Sequence, residues 1–182
     1  MYGTISRSLV ALLLCALTAC LLPGCENPEE DIDLTVSELE DASARRNGAA
    51  FVALLAPESF THYDRMIQLA LNATPKQLQS MSIMDKLDIV MMRNRMKRKD
   101  LEAIDGKAWI AKAVGEGWYE AEGGDEADVH ERNITVRGST ATVEIIYDAR
   151  WGLFQGADSL ERVRDTMSFI KVDDRWLYDY RR

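Results

Sequence analysis

The sequence predicts an α+β fold in which helices come first and antiparallel strands follow. Up to about residue 117, apolar residues recur at spacings of three and four, as in helices with one buried face. Beyond that point they alternate with polar residues, as in strands with one buried face. The 182 residues are 47% hydrophobic and 29% charged, which fits one globular domain with accessory segments.

The N-terminal residues have the pattern of a bacterial export signal. Arg7 precedes the apolar stretch "LVALLLCALTAC", which is shorter than the 20 or so residues that span a bilayer. In "LTAC", Ala19 precedes Cys20, which resembles the lipoprotein signal in which the cysteine is acylated. Cys25 is the alternative, although Pro23 stiffens the residues before it. An ordinary secreted protein with incidental cysteines is the third interpretation.

We therefore expect a signal peptide over 1–19, an acidic tether over 20–36 and one folded domain over 37–182. Residues 26–41 contain eight acidic residues and no lysine or arginine. Acyl chains such as palmitate would hold the protein on a membrane of the bacterial cell envelope, where it would face the periplasm. The net charge of −8 argues against a nucleic-acid binder, which needs a basic face.

The helical half divides at glycine, proline and capping residues. Ser37 and Glu40 have the spacing of a capping box, and Thr74 before Pro75 is a second helix start. Ser82 is a third. The helix that starts at Pro57 is expected to bury Phe60, Tyr63, Ile67, Ala70 and Leu71. The helix after Ser82 is expected to bury Ile83, Leu87, Val90 and Met91. A short helix that begins at Asp105 and Gly106 is expected to bury Trp109, Ile110 and Val114.

The C-terminal third predicts a meander of three or four long antiparallel strands. A tight turn at Ser139–Thr140 separates the first two strands, and Asp173–Asp174 form another turn. The second strand should carry Val143, Ile145, Tyr147 and Trp151 on one of its faces, and the third strand should carry Val163, Met167 and Phe169 on one of its faces. In the last strand, Trp176, Tyr178 and Tyr180 alternate with Leu177 and Asp179.

This order of elements, with the closing "VDDRWLYDY" and the early "AAFVALLAPES", resembles the nuclear transport factor 2-like superfamily, which includes SnoaL-like proteins. The resemblance covers about residues 37–182. It implies a curved sheet that wraps a helix into a cone, as in cystatin-like architectures. Members include isomerases and dehydratases as well as non-catalytic binding domains, so fold alone does not choose a function.

Three residues are candidates for acid–base chemistry. His62 and Asp64 lie in "HYDR" on a predicted helix, but residues two apart do not face each other, and a partly exposed structural role is favoured. Asp148 lies on the strand face opposite Tyr147, beside Arg150, where a solvated patch is favoured. His130 is the other histidine, and two distant histidines without cysteines in the domain predict no metal site.

Two further groups have alternative interpretations. The aromatic residues Trp109, Trp118, Tyr147, Trp151 and Trp176 could line a pocket for a flat apolar ligand, although filling the core is favoured. The basic residues Arg93, Arg95, Lys97, Arg98 and Lys99 could bind anionic lipid, meet the acidic tether or solvate a helix end.

These observations predict an envelope lipoprotein with a non-catalytic domain that binds a small apolar molecule or a partner protein, with no cofactor. The alternatives are an enzyme of the isomerase or dehydratase kind and an interaction or immunity-type lipoprotein without a pocket. No nucleotide-binding glycine loop or nucleophile motif is present.

Overall fold

The structure, a computed structural model, describes residues 27–118, 129–150 and 160–181. It confirms the α+β prediction, since helices form the first part of the described chain and an open, curved antiparallel sheet forms the rest. The helices are α1 (Pro28–Ala44), α2 (Gly48–Ala53), α3 (Pro57–Asn72), α4 (Pro75–Gln79), α5 (Ile83–Arg95), α6 (Arg98–Leu101) and α7 (Gly106–Gly115). The strands are β1 (Val129–Arg137), β2 (Thr140–Arg150), β3 (Leu160–Val172) and β4 (Arg175–Tyr178).

Helix α1 begins nine residues before the predicted cap at Ser37, so that prediction was wrong. Its first residue is Pro28, which suits the first helical position, and Ser37 lies within the helix. Ile32 and Val36 are fully buried, and this apolar spacing holds the helix against α2, β1 and β4. The expected tether over 20–36 is therefore helical from residue 28, because its apolar side chains belong to the core.

The predicted helix starts at Thr74, Ser82 and Asp105 are confirmed. Thr74 and Gln77 form a capping box, the Ser82 hydroxyl accepts from the Asp85 amide, and Asp105 caps α7. The buried face of α3 is also largely as predicted, with Tyr63, Ile67 and Ala70 in the core.

The predicted apolar face of α5 was wrong. Ile83, Leu87 and Val90 are exposed, whereas Ile89 and Met92 are fully buried and Asp88 is nearly so. Asp88 accepts a hydrogen bond from the Tyr63 hydroxyl at 3.4 Å, which gives a buried carboxylate a partner on α3. Helix α5 therefore packs through a face that contains a charged residue and leaves most of its apolar stripe outside.

The four strands form a meander in the order β1-β2-β3-β4. Ala141 pairs with Phe169 and Val143 with Met167, so their side chains share the face that the helices cover. The first turn is Gly138–Ser139, one residue earlier than predicted, because glycine adopts the positive φ of 63° there. The predicted Asp173–Asp174 turn is confirmed, and both residues have positive φ.

Candidate functional site

A cleft of about 270 Å³ opens between the helices and the covered face of the sheet. Helix α1, helix α2, the end of α7, strand β3, the end of β4 and the residues after it each contribute to its walls. Apolar and polar groups both line it, and these are Leu39, Glu40, Ser43, Phe51, Val114, Gly117, Asp165, Met167, Tyr178 and Tyr180. A concave cleft with apolar walls and a few polar groups is the kind of site at which small molecules bind.

Two tyrosines near the C-terminus are held in the cleft by contacts with the helices. The Tyr178 amide donates to the Leu54 carbonyl at 2.9 Å, and the Tyr180 amide donates to the Ser59 hydroxyl at 2.8 Å. The Tyr180 ring packs edge-on against Phe51 at 5.8 Å and stacks on Tyr63 at 5.7 Å. The tyrosine positions in the cleft are therefore fixed by backbone hydrogen bonds and by ring contacts on several sides.

An arginine on β1 fixes the carboxylate of Glu40. Arg132 donates to Asp33 at 2.6 Å and to Glu40 at 2.8 Å, and both partners lie on α1. Burial opposes ionisation of Arg132, but the hydrogen bond to Asp33 and the charge of Glu40 raise its pKa above the usual value. The ion pairs join α1 to the sheet and hold the Glu40 side chain beside the cleft.

A second carboxylate, that of Asp165 on β3, also lines the cleft. Asp165 lies opposite Ile145 in the register, and Tyr147 lies one pair further along the same face. Burial, and next the charge of Asp165, raise the pKa of Tyr147 above its usual value. A ligand in this cleft would therefore meet an apolar wall and a negatively charged side.

The predicted tryptophans fall in different places. Trp109 and Trp176 are buried in the core, and neither lines the cleft. Trp118 is half-buried and packs on Trp109 with ring centroids 5.1 Å apart. Trp151 lies outside the described residues. The cleft instead uses Tyr178 and Tyr180, which the alternation in "RWLYDY" placed on one face but did not mark as pocket residues.

The three acid–base candidates do not meet. The Asp64 carboxylate is exposed and accepts from the Gly106 amide at 2.6 Å, so it caps the start of α7. His62 is half-buried on α3, and its Nε2 atom has no hydrogen-bond partner within the described residues. Asp148 lies on the opposite face of the sheet. None of the three lines the cleft.

Asp148 belongs to a polar cluster at an irregularity in the sheet. The pairing of β1 with β2 shifts between Val129 and Glu131, and His130 at this bulge approaches Asp148 at 2.6 Å. The hydrogen bond from His130, and to a smaller extent the charge of Arg162 at 3.7 Å, lower the pKa of Asp148. The carboxylate is therefore ionised and suited to structural pairing.

Two of the five clustered basic residues cap the C-terminal end of helix α3 by donating hydrogen bonds to its carbonyl groups. Arg93 donates through Nε to the Ala70 carbonyl at 2.7 Å, and Arg98 donates to the Leu71 carbonyl at 2.9 Å. These carbonyls belong to the last turn, which has no helical donors. Arg95, Lys97 and Lys99 are exposed and form no ion pair within the described part of the chain.

Over 27–118, 129–150 and 160–181, no helix combines the length and the hydrophobicity that crossing a bilayer demands. Those ranges also contain no cluster of three histidine, cysteine, aspartate or glutamate side chains that could hold a metal ion. Cys20 and Cys25 lie outside the described residues.

Several solved structures are similar to this chain, among them the following two. One is a candidate dehydratase of the NTF2-like family from Streptomyces avermitilis, with 12% identity and a TM-score of 0.39 over 84% of this chain and 93% of that one. The other is a SEC-C motif protein from Rhodopseudomonas palustris, with 18% identity and a TM-score of 0.23 over 64% and 88%. No family model and no curated protein matches. The first belongs to the family that the sequence resembles, but at this TM-score membership stays a prediction.

Proposed function

We propose that this protein is a lipoprotein of the bacterial envelope whose folded domain binds a small, mostly apolar molecule in the cleft. The observation that carries the proposal is the composition of the cleft walls. Leu39, Phe51, Val114 and Met167 offer an apolar surface, while Glu40 and Asp165 offer negative charge. The expected ligand has an apolar body with a neutral or cationic polar end.

Binding is favoured over catalysis because the expected catalytic groups lie apart. A proton transfer needs a base within hydrogen-bond reach of the ligand, and His62, Asp64 and Asp148 are not among the cleft residues. Glu40 is engaged by Arg132 at 2.8 Å. An isomerase or dehydratase mechanism that depends on those three candidates has no support from this arrangement.

A substitution that fills the cleft tests the proposal. Ser43 lines the cleft on α1, and Ser37 lies exposed on another face of the same helix. Using the neutral dye N-phenyl-1-naphthylamine as the probe, we expect Ser43→Phe to weaken binding at least about tenfold, since a loss of about 1.4 kcal/mol suffices. Ser37→Phe, the matched control, should bind as the wild type does. Equal affinities for the two variants would refute the cleft as the binding site.

The lipid anchor is tested separately. Mass spectrometry of protein extracted from membranes should find a mature chain that begins with an acylated Cys20. Cys20→Ser should abolish acylation, whereas Cys25→Ser should leave it intact, because only the first cysteine follows the favoured signal. The reverse pattern would make Cys25 the anchor, and an unmodified soluble chain would exclude a lipoprotein.

A further inference from the structure

Helix α5 presents an apolar stripe to solvent. Ile83, Leu87 and Val90 are spaced by four and three residues and therefore share one face, and their exposed fractions are 74%, 55% and 51%. Met84 beside them is 42% exposed. Single exposed apolar residues are ordinary, but a contiguous group on one helix marks a surface that binds something. We refer to these four residues as the α5 surface.

A groove extends the α5 surface toward α4. It has a volume of about 350 Å³, and Leu78, Ile89 and Val90 supply its apolar walls, with Gln79 and Lys86 at its edge. The Lys86 amine donates to the Gln79 carbonyl at 3.2 Å, which holds this lysine at the side of the stripe. The apolar region is thus broader than one row of side chains and carries a positive charge along one edge.

Positive charge is concentrated around the α5 surface in a chain that is otherwise acidic. Residues 76–99 contain seven basic and two acidic residues, whereas the whole chain has a net charge of −8. One of the two acids, Asp88, is buried. Lys86 and Arg95 lie on the two sides of the stripe at 100° per residue, and Lys97 and Lys99 follow the helix end.

We propose that the α5 surface binds the surface of an anionic lipid bilayer. A helix with an exposed apolar face and basic residues along its edges is suited to lie in the boundary between headgroups and acyl chains. Each lysine or arginine near an anionic surface contributes about fivefold to binding. An anionic bilayer repels the rest of the chain, which is acidic overall, so among the described residues the α5 surface is the face suited to approach it. The inference does not depend on what the cleft binds.

The charges argue against two other occupants. The N-terminal stretch at 9–14 is apolar but contains no acidic residue, so it would leave the basic edges unmatched. If a second copy packed its own α5 surface against this one, Lys86 and Arg95 of one copy would lie close to Lys86 and Arg95 of the other, and these like charges would repel each other. An anionic bilayer satisfies the stripe and its edges together.

A fluorescent label on the α5 surface tests the proposal in the full chain. All three cysteines are changed to serine, which prevents acylation, and Leu87→Cys carries a polarity-sensitive dye. Leu34→Cys is the matched control, because Leu34 is 59% exposed but lies on the acidic helix α1. We expect vesicles with 30% phosphatidylglycerol in phosphatidylcholine to shift the emission at position 87 to the blue. Pure phosphatidylcholine should shift it little, and the label at position 34 should not respond.

The charge requirement is tested on the same labelled chain by titration with the anionic vesicles. Replacing Arg95, Lys97 and Lys99 by glutamine should weaken the response on the order of 100-fold, at about fivefold for each charge. The matched control replaces Arg45, which follows the end of α1, and Lys107 and Lys112 on α7, and should change the response less than about threefold. Because all six residues lie outside the core, both variants should fold.

Each contrary outcome overturns the proposal. A blue shift at position 87 without vesicles that grows with protein concentration would show that a second copy covers the surface. A blue shift at position 87 without vesicles that disappears when residues 9–14 are made polar would show that the N-terminal stretch covers the α5 surface. An equal response to neutral and anionic vesicles, or an equal loss in the two charge variants, would show that basic recognition of lipid is absent.

Discussion

His62 is a half-buried histidine whose environment disfavours the charged ring. Burial, and next the positive charge of Arg65, lower its pKa below the usual value, with a smaller opposing effect from Asp85. Arg181 and Asp179 act in opposite directions on the same ring. Since Nε2 has no hydrogen-bond partner in the described residues, protonation would place an unpartnered donor in a dry position.

The lowered pKa of His62 predicts a pH dependence of stability. In the unfolded chain the ring takes up a proton near pH 6.5, but the folded chain resists until a lower pH. The free energy of unfolding should therefore be fully retained above about pH 7 and should fall as the pH drops below 6.5. Urea denaturation of His62→Gln should show a shallower decline between pH 7 and pH 5. An unchanged slope would contradict the assignment.

The C-terminal end of helix α3 is capped by arginine side chains that come from later in the chain. Arg93 reaches the carbonyls of Leu69, Ala70 and Ala73, so one guanidinium satisfies several acceptors of the last turn. A cation at this end also interacts favourably with the helix dipole. The element therefore depends on a residue more than twenty positions away in the chain.

Removing this cap should lower stability measurably. Arg93→Gln loses charge-assisted hydrogen bonds, and we expect the free energy of unfolding to fall by about 1–2 kcal/mol. Arg95→Gln makes the same change on the same helix where the side chain is exposed, and its effect should stay within about 0.5 kcal/mol. Urea midpoints at pH 7 measure both, and equal effects would show that the carbonyl contacts contribute nothing.

The starts of individual helices could be predicted from the sequence because a helix cap depends only on residues that are close together in the chain. Thr74 and Ser82 cap through atoms three residues away, so spacing alone identified them. The buried face of α5 could not be predicted in the same way. The hydrophobic pattern predicts that Ile83 and Leu87 are buried, whereas the face that packs against the core includes Asp88. That carboxylate is accommodated by Tyr63, 25 residues earlier, and no local pattern carries this information.

Across the whole molecule, helix α7 joins the helical layer through two close approaches. A Cβ atom at Gly48 would lie 1.8 Å from the Ala111 carbonyl oxygen, and one at Gly106 would lie 2.3 Å from the Phe60 carbonyl oxygen. Both obstacles are backbone atoms, which cannot rotate away as a side chain could. The glycines therefore set how closely α2 and α3 approach α7.

Alanine at either position should disturb this packing. We expect Gly48→Ala and Gly106→Ala each to lower the free energy of unfolding by about 1–3 kcal/mol, because helices must separate to admit the methyl group. Gly115→Ala is the control, since its Cβ would meet only the Arg46 carbonyl oxygen at 3.7 Å. That variant should be as stable as the wild type or up to about 1 kcal/mol more stable. Thermal unfolding that ranks the three variants differently would contradict this account.

The order of the layers could be predicted from the sequence, whereas the cleft could not. The change of apolar period near residue 117 separates helices from strands whatever their partners are. The cleft depends on how Glu40 on α1, Asp165 on β3 and Tyr180 after β4 meet in space, and these residues are far apart in the chain. His62 and Asp148 carried the expected chemistry in the sequence, but the sheet and α3 place them elsewhere.

The early start of α1 limits how far the domain can stand from a membrane. Only seven residues separate Cys20 from Pro28, and even fully extended they reach about 25 Å. In a chain acylated at Cys20, the domain would remain within roughly one molecular diameter of the headgroups, at a high effective concentration. A surface patch too weak to recruit the free domain would then still determine which side of it rests on the bilayer.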